Sequence, residues 1–378
     1  MSTNEEYRVC DRCVMDTSDP LIVFDREGRC NHCTEFLNVR LPNRSSGSEG
    51  GRMFEALVSK MRTAGTGRDY DCIVGVSGGV DSTYLSYLLH DAGLRLLAVH
   101  MDNGWDSEES VSNIKNLTSG LKIDYQSYVL NWEEFRDLQL SFLKASVPEA
   151  ETPTDVAIPA ALHHFAARHN VKYIVSAGNL TTEGILPKAW HYNARDFRYF
   201  NYIQSMFGRI LLQSFPKFDY KKEAYLKLVR GIRVVYPMNL IDPPKGGMMP
   251  FLVDAFDYKP SGAKHHESRY TRFIQSYYLY EKFGIDYRRA KFSSQICSDQ
   301  ANREHALEQL SSKPYDDDVV ELEKQYIAKK LKLDRDDLER IISLPPKWYW
   351  EYPNDEKKLQ LIYEMYRRLF GKEKLASF

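Results

Sequence analysis

The chain has 378 residues, of which 43% are hydrophobic and 27% are charged, and its formal net charge is -1. This composition is ordinary for a globular protein and excludes disordered and fibrous classes as the default, while the charge balance disfavours a general nucleic-acid-binding protein. No apolar run approaches the roughly 18 residues of a membrane span and the first residues do not resemble a signal peptide, so we expect a cytoplasmic location and no membrane partner.

Residues 1–40 contain four of the six cysteines. Cys10 and Cys13 form one C-x-x-C pair, and Cys30 and Cys33 form a second. In a reducing compartment this spacing is typical of a four-thiolate zinc site rather than of disulfides. Bound metal would supply folding free energy on the order of 10 kcal/mol to such a small region. We therefore predict a zinc-binding module with structural Zn2+, because four thiolates leave no open coordination position.

Residues 41–52 are predicted to be a flexible linker, because this stretch is rich in Gly and Ser. It separates the zinc module from a predicted nucleotide-binding domain over 53–240. A substrate-binding, helical C-terminal region is predicted over 241–378. The two remaining cysteines, Cys72 and Cys297, are expected to be packing residues.

From residue 70 onward, short apolar runs alternate with helical patterns. The predicted strands are 72–76, 94–101, 123–130 and 171–176, and the predicted helices are 80–91, 133–146 and 155–169. Ser107 is the expected N-cap of a further helix, because acidic residues follow it in the first turn. Strands that alternate with helices imply a parallel sheet covered on both faces. The predicted fold class is therefore α/β and Rossmann-like, with the strand order left open.

A glycine-rich turn joins the first predicted strand to the first predicted helix. It consists of Ser77, Gly78, Gly79, Val80, Asp81 and Ser82. Unpaired backbone amides and the helix dipole converge at such a turn, which makes it a site for phosphate. Asp81 is suited to hold the Mg2+ that accompanies a polyphosphate. The turn lacks the lysine of the G-x-x-x-x-G-K-[ST] loop, so transfer of a γ-phosphate loses support.

Two other interpretations of this turn remain. A glycine turn can serve packing alone. Residues 75–79 also satisfy G-x-S-x-G, the nucleophile elbow of α/β-hydrolases. Several strands precede the elbow in that fold, whereas the residues before position 75 belong mostly to the cysteine region and the linker, so a serine hydrolase is disfavoured.

The sequence SGGVDS at 77–82 resembles the SGGxDS signature of the PP-loop ATP pyrophosphatases. The resemblance implies cleavage of ATP between its α and β phosphates, adenylation of a substrate oxygen and release of pyrophosphate. His100 with Asp102, and Gly178 with Asn179, follow later predicted strands, at the carboxyl ends where open α/β sheets bind ligands. We expect these four residues to contribute to the ATP site.

Several segments are similar to the N-acetyl sugar amidotransferase family, whose members convert an acetamido to an acetamidino group in bacterial surface-polysaccharide biosynthesis. These segments are residues 10–17, 99–105, 262–268, 271–273 and 288–291. The resemblance implies an ATP-dependent amidotransferase for a nucleotide-linked N-acetyl sugar of lipopolysaccharide or O-antigen biosynthesis. We recognise no glutaminase domain. The resemblance therefore implies that ammonia comes from a glutaminase and a barrel subunit, similar to the imidazole glycerol phosphate synthase pair.

Residues 264–291 contain seven Lys or Arg residues and three acidic residues. This excess predicts a positive patch for the phosphates of ATP or of a nucleotide-linked sugar. We expect Lys264 and Arg272 to act as catalytic cationic partners, together with Asp81 of the loop. The residues expected to bind the sugar substrate are Lys264, His265, Glu267 and Lys291.

An N-terminal zinc module before a PP-loop domain also occurs in enzymes that thiolate transfer RNA. That alternative ranks second, because the chain has no further cysteine pair and no basic excess. A non-catalytic nucleotide-binding scaffold is the third hypothesis. Pyrophosphate release that depends on an acetamido sugar supports the first hypothesis, release that depends on tRNA supports the second, and no ATP turnover with any substrate supports the third.

Overall fold

A five-stranded parallel sheet forms the centre of the computed structural model, which describes residues 6–242, 247–260, 262 and 266–370. The strands are β1 (Cys72–Gly75), β2 (Leu96–Asp102), β3 (Asp124–Val129), β4 (Tyr173–Val175) and β5 (Arg233–Val235). Their order in the sheet is β3-β2-β1-β4-β5, and every neighbouring pair is parallel. The carboxyl ends of all five strands therefore meet at one edge of the sheet. The predicted Rossmann-like α/β class is confirmed.

Alternate strand residues face two separate cores, as the period of a strand requires. Ile73, Leu97 and Ile174 are fully buried in the core on one face, and Cys72 and Val74 are fully buried in the core on the other. The four predicted strands are confirmed to within two residues at each end. The sequence does not predict β5, because this three-residue strand is partly exposed and begins with an arginine.

Helices cover both faces of the sheet and make up most of the C-terminal region. Up to β5 they are α1 (Asn31–Glu35), α2 (Gly47–Ala64), α3 (Val80–Asp91), α4 (Glu108–Leu121), α5 (Trp132–Ala145), α6 (Thr152–Arg168), α7 (Leu180–Glu183), α8 (Phe197–Phe207) and α9 (Tyr220–Leu228). After β5 they are α10 (Met248–Phe256), α11 (Arg269–Phe273), α12 (Leu279–Phe283), α13 (Arg288–Cys297), α14 (Arg303–Leu310), α15 (Asp317–Leu331), α16 (Arg335–Ile342) and α17 (Glu356–Phe370). Within the described ranges, the helices are too short or too polar to cross a membrane.

The expected flexible linker at 41–52 is wrong in its second half, because α2 begins at Gly47. The Gly47 amide donates to Asp242 Oδ2 at 2.8 Å, and Arg44 pairs with the same carboxylate at 2.9 Å. Gly50 lies so close to the carbonyl oxygen of Leu240 that a side chain there would overlap it. Glycine in this helix therefore permits close packing of two backbones, a role that composition alone does not reveal.

The cysteine region packs against α13 and α14. Arg289 of α13 is 9% exposed, and its Nε lies 2.9 Å from Asp16 Oδ2, where Asp16 is 2% exposed. Arg303 donates hydrogen bonds of 2.8 and 2.9 Å to the carbonyl oxygens of Cys10 and Cys13. Arg289 and Arg303 therefore attach the N-terminal cysteine region to the C-terminal helices, through the buried Asp16 carboxylate and two backbone carbonyl groups.

Replacing Arg289 with Met should strongly destabilise the protein, because the buried Asp16 carboxylate would lose its cation and keep only hydrogen bonds from Tyr7 and Ser18. The expected loss in the free energy of unfolding is about 3–5 kcal/mol. Urea unfolding measures it. Arg340→Met is the matched control, because the Arg340 side chain is 75% exposed beside Asp337, and it should cost at most about 1 kcal/mol. Equal effects of the two changes would contradict the importance of the buried pair.

Candidate active site at the carboxyl edge of the sheet

The loop from β1 to α3 has the backbone geometry of an anion site. The Val76 amide continues the sheet by donating to Val99 O at 2.9 Å, and Gly79 then caps α3 with an extended backbone. Gly78 has φ +77°, a conformation that favours glycine, and a side chain there would overlap the backbone of Ser110. The chain therefore turns sharply, and the first amides of α3 have no intrahelical acceptor.

Hydroxyl groups hold the loop in this shape. Ser82 Oγ donates to Gly79 O at 3.1 Å and lies 3.3 Å from Ser77 Oγ. Thr83 Oγ1 donates to the same Gly79 carbonyl at 2.8 Å. Val80 and Asp81 are half-buried in the first turn of α3. These bonds fix the Gly79 carbonyl, and the Gly79 amide donates to Ser77 Oγ at 3.3 Å. The amides that have no intrahelical acceptor are those of the first turn of α3.

Asn113 of α4 is a site residue that the sequence analysis does not identify. Its Nδ2 donates to Gly78 O at 3.0 Å and to Lys259 O at 2.8 Å, and its Oδ1 accepts from the Lys259 amide at 2.8 Å. The side chain is 1% exposed. The sequence signal that could have identified Asn113 is an amide side chain in the middle of an amphipathic helix, because a buried amide needs hydrogen-bond partners.

His100 supports the loop from β2. Its Nδ1 lies 2.8 Å from Val76 O, and its Nε2 lies 2.9 Å from Asp106 Oδ2. The Val76 carbonyl and the Asp106 carboxylate accept hydrogen bonds and do not donate them. Both ring nitrogens of His100 therefore donate, so both carry a proton and the ring is positively charged. Burial alone would lower the pKa of His100, but the hydrogen bond and charge of Asp106 raise it above the ordinary value. The predicted ATP-site residue thus lies at the site and fixes the loop backbone.

Glu267 reaches the loop from the C-terminal region. Its backbone carbonyl accepts from the Ser107 amide at 2.8 Å, and Arg269 N donates to Trp105 O at 2.9 Å, which ties residues 267–269 to the segment after β2. The Glu267 carboxylate lies against Gly79, where an added side chain would overlap it. The carboxylate of Glu267, a predicted sugar-binding residue, therefore lies at the phosphate loop, and its role toward the sugar stays a prediction.

Two carboxylates thus lie at the loop, from Asp81 and Glu267. A carboxylate beside a polyphosphate is repelled unless a cation lies between the two, because like charges at short distance cost free energy. Carboxylate oxygens are the ligands that Mg2+ prefers, together with phosphate oxygens. These residues therefore fit a magnesium ion that accompanies ATP.

The other predicted ATP-site residues also lie at this edge. Asp102 ends β2, and its Oδ1 accepts from the Gly104 amide at 2.8 Å. Gly178 and Asn179 follow β4, the neighbour of β1, and Asn179 Oδ1 accepts from Thr181 N at 3.0 Å as the cap of α7. The parallel sheet therefore brings the loops after β1, β2 and β4 together.

The arginines of the predicted positive patch over 264–291 are all in ion pairs, which reduces the charge that the patch can present to a phosphate, and the patch stays a prediction. Arg269 and Arg272 both bind Glu323 Oε1, at 2.8 and 2.5 Å, and Glu323 is 6% exposed. Arg288 pairs with Asp286 at 2.6 Å. Two acidic residues outside the segment, Glu323 and Asp16, thus offset part of its positive charge.

The predicted site residues within 264–291 lie in different places in the structure. Arg272 lies close to the segment after β2, because its amide donates to Ser268 O at 3.0 Å and Ser268 forms a β-bridge with Asp106. Lys291 is half-buried on α13, which packs against α7. Lys264 and His265 lie outside the described residues, so their predicted roles stay predictions.

The four cysteine sulfurs form a buried cluster. The Sγ atoms all lie within 4.8 Å of one another, with Cys10 and Cys33 at 3.8 Å and Cys13 and Cys30 at 3.6 Å. Four cysteine sulfurs are a donor set that zinc and other thiophilic metals bind. The cluster fits a metal ion.

Two parts of the chain match known protein families, and these matches indicate the class of protein. Residues 52–147 match the NAD synthase family, and the chain has the PP-loop, ATP-utilising fold. Residues 267–369 match a second family, described as LPS biosynthesis protein WbpG-like, C-terminal domain. Together the two matches confirm the resemblance to the N-acetyl sugar amidotransferase family within the PP-loop ATP pyrophosphatase superfamily.

Individual relatives are more distant. The tRNA(Ile)-lysidine synthase of Chlamydia pneumoniae is 34% identical over 70 residues, which is 18% of this chain and 22% of that protein, so the match spans about a fifth of the relative. The NH3-dependent NAD synthetase structure from Campylobacter jejuni is 15% identical, with 38% of this chain and 62% of that chain covered and a TM-score of 0.29. The U34-tRNA thiolase NcsA structure from Methanococcus maripaludis, with its [4Fe-4S] cluster, is 14% identical, with 82% and 89% covered and a TM-score of 0.33.

Replacing Cys10 with Ala should remove the bound metal, because three thiolates no longer enclose it. Metal content per chain, measured by elemental mass spectrometry, should be near stoichiometric in the wild type and near zero in the variant. Cys72→Ala is the control, since Cys72 is fully buried in β1 and away from the cluster. A Cys10→Ala protein that retains its metal would contradict the assignment.

The His100–Asp106 pair should make stability depend on pH. Because the folded pKa of His100 is raised from the ordinary 6.5, its contribution is fully present below that pH and is lost as pH rises through the raised value. Asp106→Asn should therefore show a shallower fall in unfolding free energy than the wild type from about pH 6.5 upward. Urea unfolding across pH measures this.

The control for this experiment is His305→Gln, because the His305 side chain is 65% exposed. This variant should keep the wild-type pH profile. Identical pH profiles for Asp106→Asn and the wild type would show that the pair does not contribute as inferred.

Proposed function

We propose that the chain is an ATP-dependent amidotransferase that converts the acetamido group of a nucleotide-linked sugar to an acetamidino group and releases AMP and pyrophosphate. The observation that carries the proposal is the lysine-free phosphate loop at the β1–α3 turn, with the carboxylates of Asp81 and Glu267 beside it. The match of residues 267–369 to an LPS biosynthesis domain supports a sugar substrate.

The chemistry explains why ATP is needed. An amide oxygen is a poor leaving group, so it is first converted to a better one. The acetamido oxygen attacks the α-phosphorus of ATP, and pyrophosphate leaves with the electrons of the broken P–O bond. Ammonia then forms a C–N bond to the activated carbon, and AMP leaves with the former amide oxygen.

The residues of the chain act by placement and charge. Amides of the turn at 78–82 bind the phosphate groups that depart as pyrophosphate. Mg2+ held by Asp81 and Glu267 would neutralise charge on those phosphates. His100 holds the loop backbone through Val76. Arg272, with Lys264, is proposed to contact the developing negative charge, which requires Arg272 to be shared with Glu323.

The partners belong to the same proposal. Ammonia is proposed to come from a separate glutaminase and a barrel subunit similar to the imidazole glycerol phosphate synthase pair. The metal of the cysteine cluster is proposed to be structural Zn2+, because four thiolates leave no position for a substrate.

One observation favours the alternative, a tRNA-thiolating enzyme. Four buried thiolates also fit an iron–sulfur cluster, which sets of four cysteines commonly bind. An iron–sulfur cluster, which gives a coloured protein, would favour the alternative, whereas a colourless zinc protein is compatible with both interpretations. Pyrophosphate release that requires tRNA instead of a sugar would support the alternative.

Asp81→Asn should lower the rate of AMP and pyrophosphate release by about 10²–10³-fold, because the loop would lose a carboxylate that holds Mg2+. The assay combines candidate nucleotide sugars with ATP and ammonium, and mass spectrometry should detect a product in which NH replaces oxygen. Asp91→Asn is the matched control, since Asp91 is exposed at the other end of α3. Full activity of Asp81→Asn would contradict the magnesium role.

A further inference from the structure

Three aromatic side chains meet beside the segment that follows β2. The ring centroids of Trp105 and Trp132 are 5.4 Å apart, and their planes are inclined at 68°. Tyr326 of α15 lies 6.2 Å from Trp105, also at 68°. Trp105 is fully buried, and its Nε1 donates to Gln139 Oε1 at 2.7 Å, which fixes the orientation of the indole. Trp105 is therefore a rigid ring with a steeply inclined aromatic neighbour on α5 and another on α15.

The ammonium group of Lys330 contacts all three rings. Its Nζ is 4.8 Å from the Trp105 centroid, 5.2 Å from that of Trp132 and 5.5 Å from that of Tyr326. It also donates to the Tyr326 hydroxyl at 3.3 Å. A cation is attracted to aromatic faces, most strongly where water is excluded. Trp105, Trp132 and Tyr326, hereafter the aromatic cage, therefore hold the Lys330 ammonium at a defined place.

From the aromatic cage, the ammonium donates a hydrogen bond to the carbonyl oxygen of Gly104. Gly104 lies between two residues of the candidate active site. Its amide donates to Asp102 Oδ1 at 2.8 Å, and the carboxylate of Asp106 lies 2.9 Å from Nε2 of His100, which holds the backbone of the phosphate loop. The bond from Lys330 therefore fixes the middle of the short segment that carries both carboxylates.

Helix α15 presents Lys330 on the face that also contacts α11. Glu323, Tyr326 and Lys330 are spaced by three and four residues, which places them on one side of a helix. Glu323 pairs with Arg269 at 2.8 Å, and the Arg269 guanidinium lies 3.5 Å from the Tyr326 centroid. The Arg269 amide in turn donates to Trp105 O at 2.9 Å. One face of α15 therefore contacts both the segment after β2 and the helix that is bonded to it.

We propose that Lys330 is a positioning residue for the nucleotide site. Its caged ammonium fixes the Gly104 carbonyl, and thereby holds Asp102 and the Asp106–His100 pair in place at the carboxyl edge of the sheet. The assignment rests on the proposed function, because it concerns the same ATP site. Lys330 acts through Gly104, from which it is 226 positions distant in the chain, and is not itself a ligand of ATP.

Replacing Lys330 with Met tests this role, because Met keeps a flexible apolar side chain against the rings but loses the charge and the hydrogen bond. Hydrogen exchange measured by mass spectrometry should be faster in the variant at the backbone amides of residues 102–107. The dissociation constant for α,β-methylene ATP with Mg2+, measured by titration calorimetry, should rise about tenfold, as loss of a hydrogen bond from a charged group implies.

Lys324→Met is the matched control, because Lys324 lies on the same helix and makes the same kinds of interaction elsewhere. Its Nζ is 4.3 Å from the Tyr277 centroid, and it pairs with Glu321 at 3.0 Å and with Glu339 at 2.8 Å. Lys324 is 6% exposed, so this variant should lose at least as much unfolding free energy in urea as Lys330→Met. Its exchange at 102–107 and its dissociation constant should nevertheless stay at the wild-type values.

Unchanged exchange at 102–107, or an unchanged dissociation constant, in Lys330→Met would overturn the positioning role. An equal rise of the dissociation constant in Lys324→Met would overturn it too, because the effect would then come from general loosening of α15. Wild-type protein that binds the nucleotide analogue but forms no AMP from ATP with any acetamido sugar would instead overturn the proposed function and leave the role of Lys330 in place.

Discussion

The turn between β1 and α3 is the constraint on which the rest of the structure depends. The chain must reverse within two residues and still direct its amides to an anion. Gly78 makes this possible by a positive φ beside the backbone of Ser110, where a side chain has no room. Asn113 and His100 then hold the carbonyls on either side, Gly78 O and Val76 O. The loop is therefore preorganised, and a phosphate does not have to order it on binding.

The C-terminal region completes this site and also fixes the other end of the chain. Residues 267–269 attach to the segment after β2 and bring a carboxylate to Gly79. Further along, Arg289 and Arg303 bind the cysteine region. The cysteine cluster and the phosphate loop are thus both contacted by the part of the chain from residue 267 to α14.

Local signals in the sequence predict local structure well. The strand β1, the loop, the N-terminus of α3, the Ser107 cap and the four-cysteine cluster each depend on residues close in sequence, and each is confirmed. The predictions from sequence fail where contacts between residues far apart in the chain determine the structure. Glu323 pairs with two arginines about fifty positions earlier, and Asp242 holds the start of α2 nearly two hundred positions away. Glu267 reaches Gly79 only because the chain returns to β2, which no periodicity in the sequence indicates.

The account depends on phosphate binding at the loop, and a crystal structure with α,β-methylene ATP and Mg2+ tests this most directly. The β- and γ-phosphates should lie against the amides of residues 78–82, with the metal between them and the carboxylates of Asp81 and Glu267. The α-phosphorus should face the carboxyl ends of β2 and β4, open to a substrate oxygen. Nucleotide bound elsewhere, with the loop free of phosphate, would contradict the account.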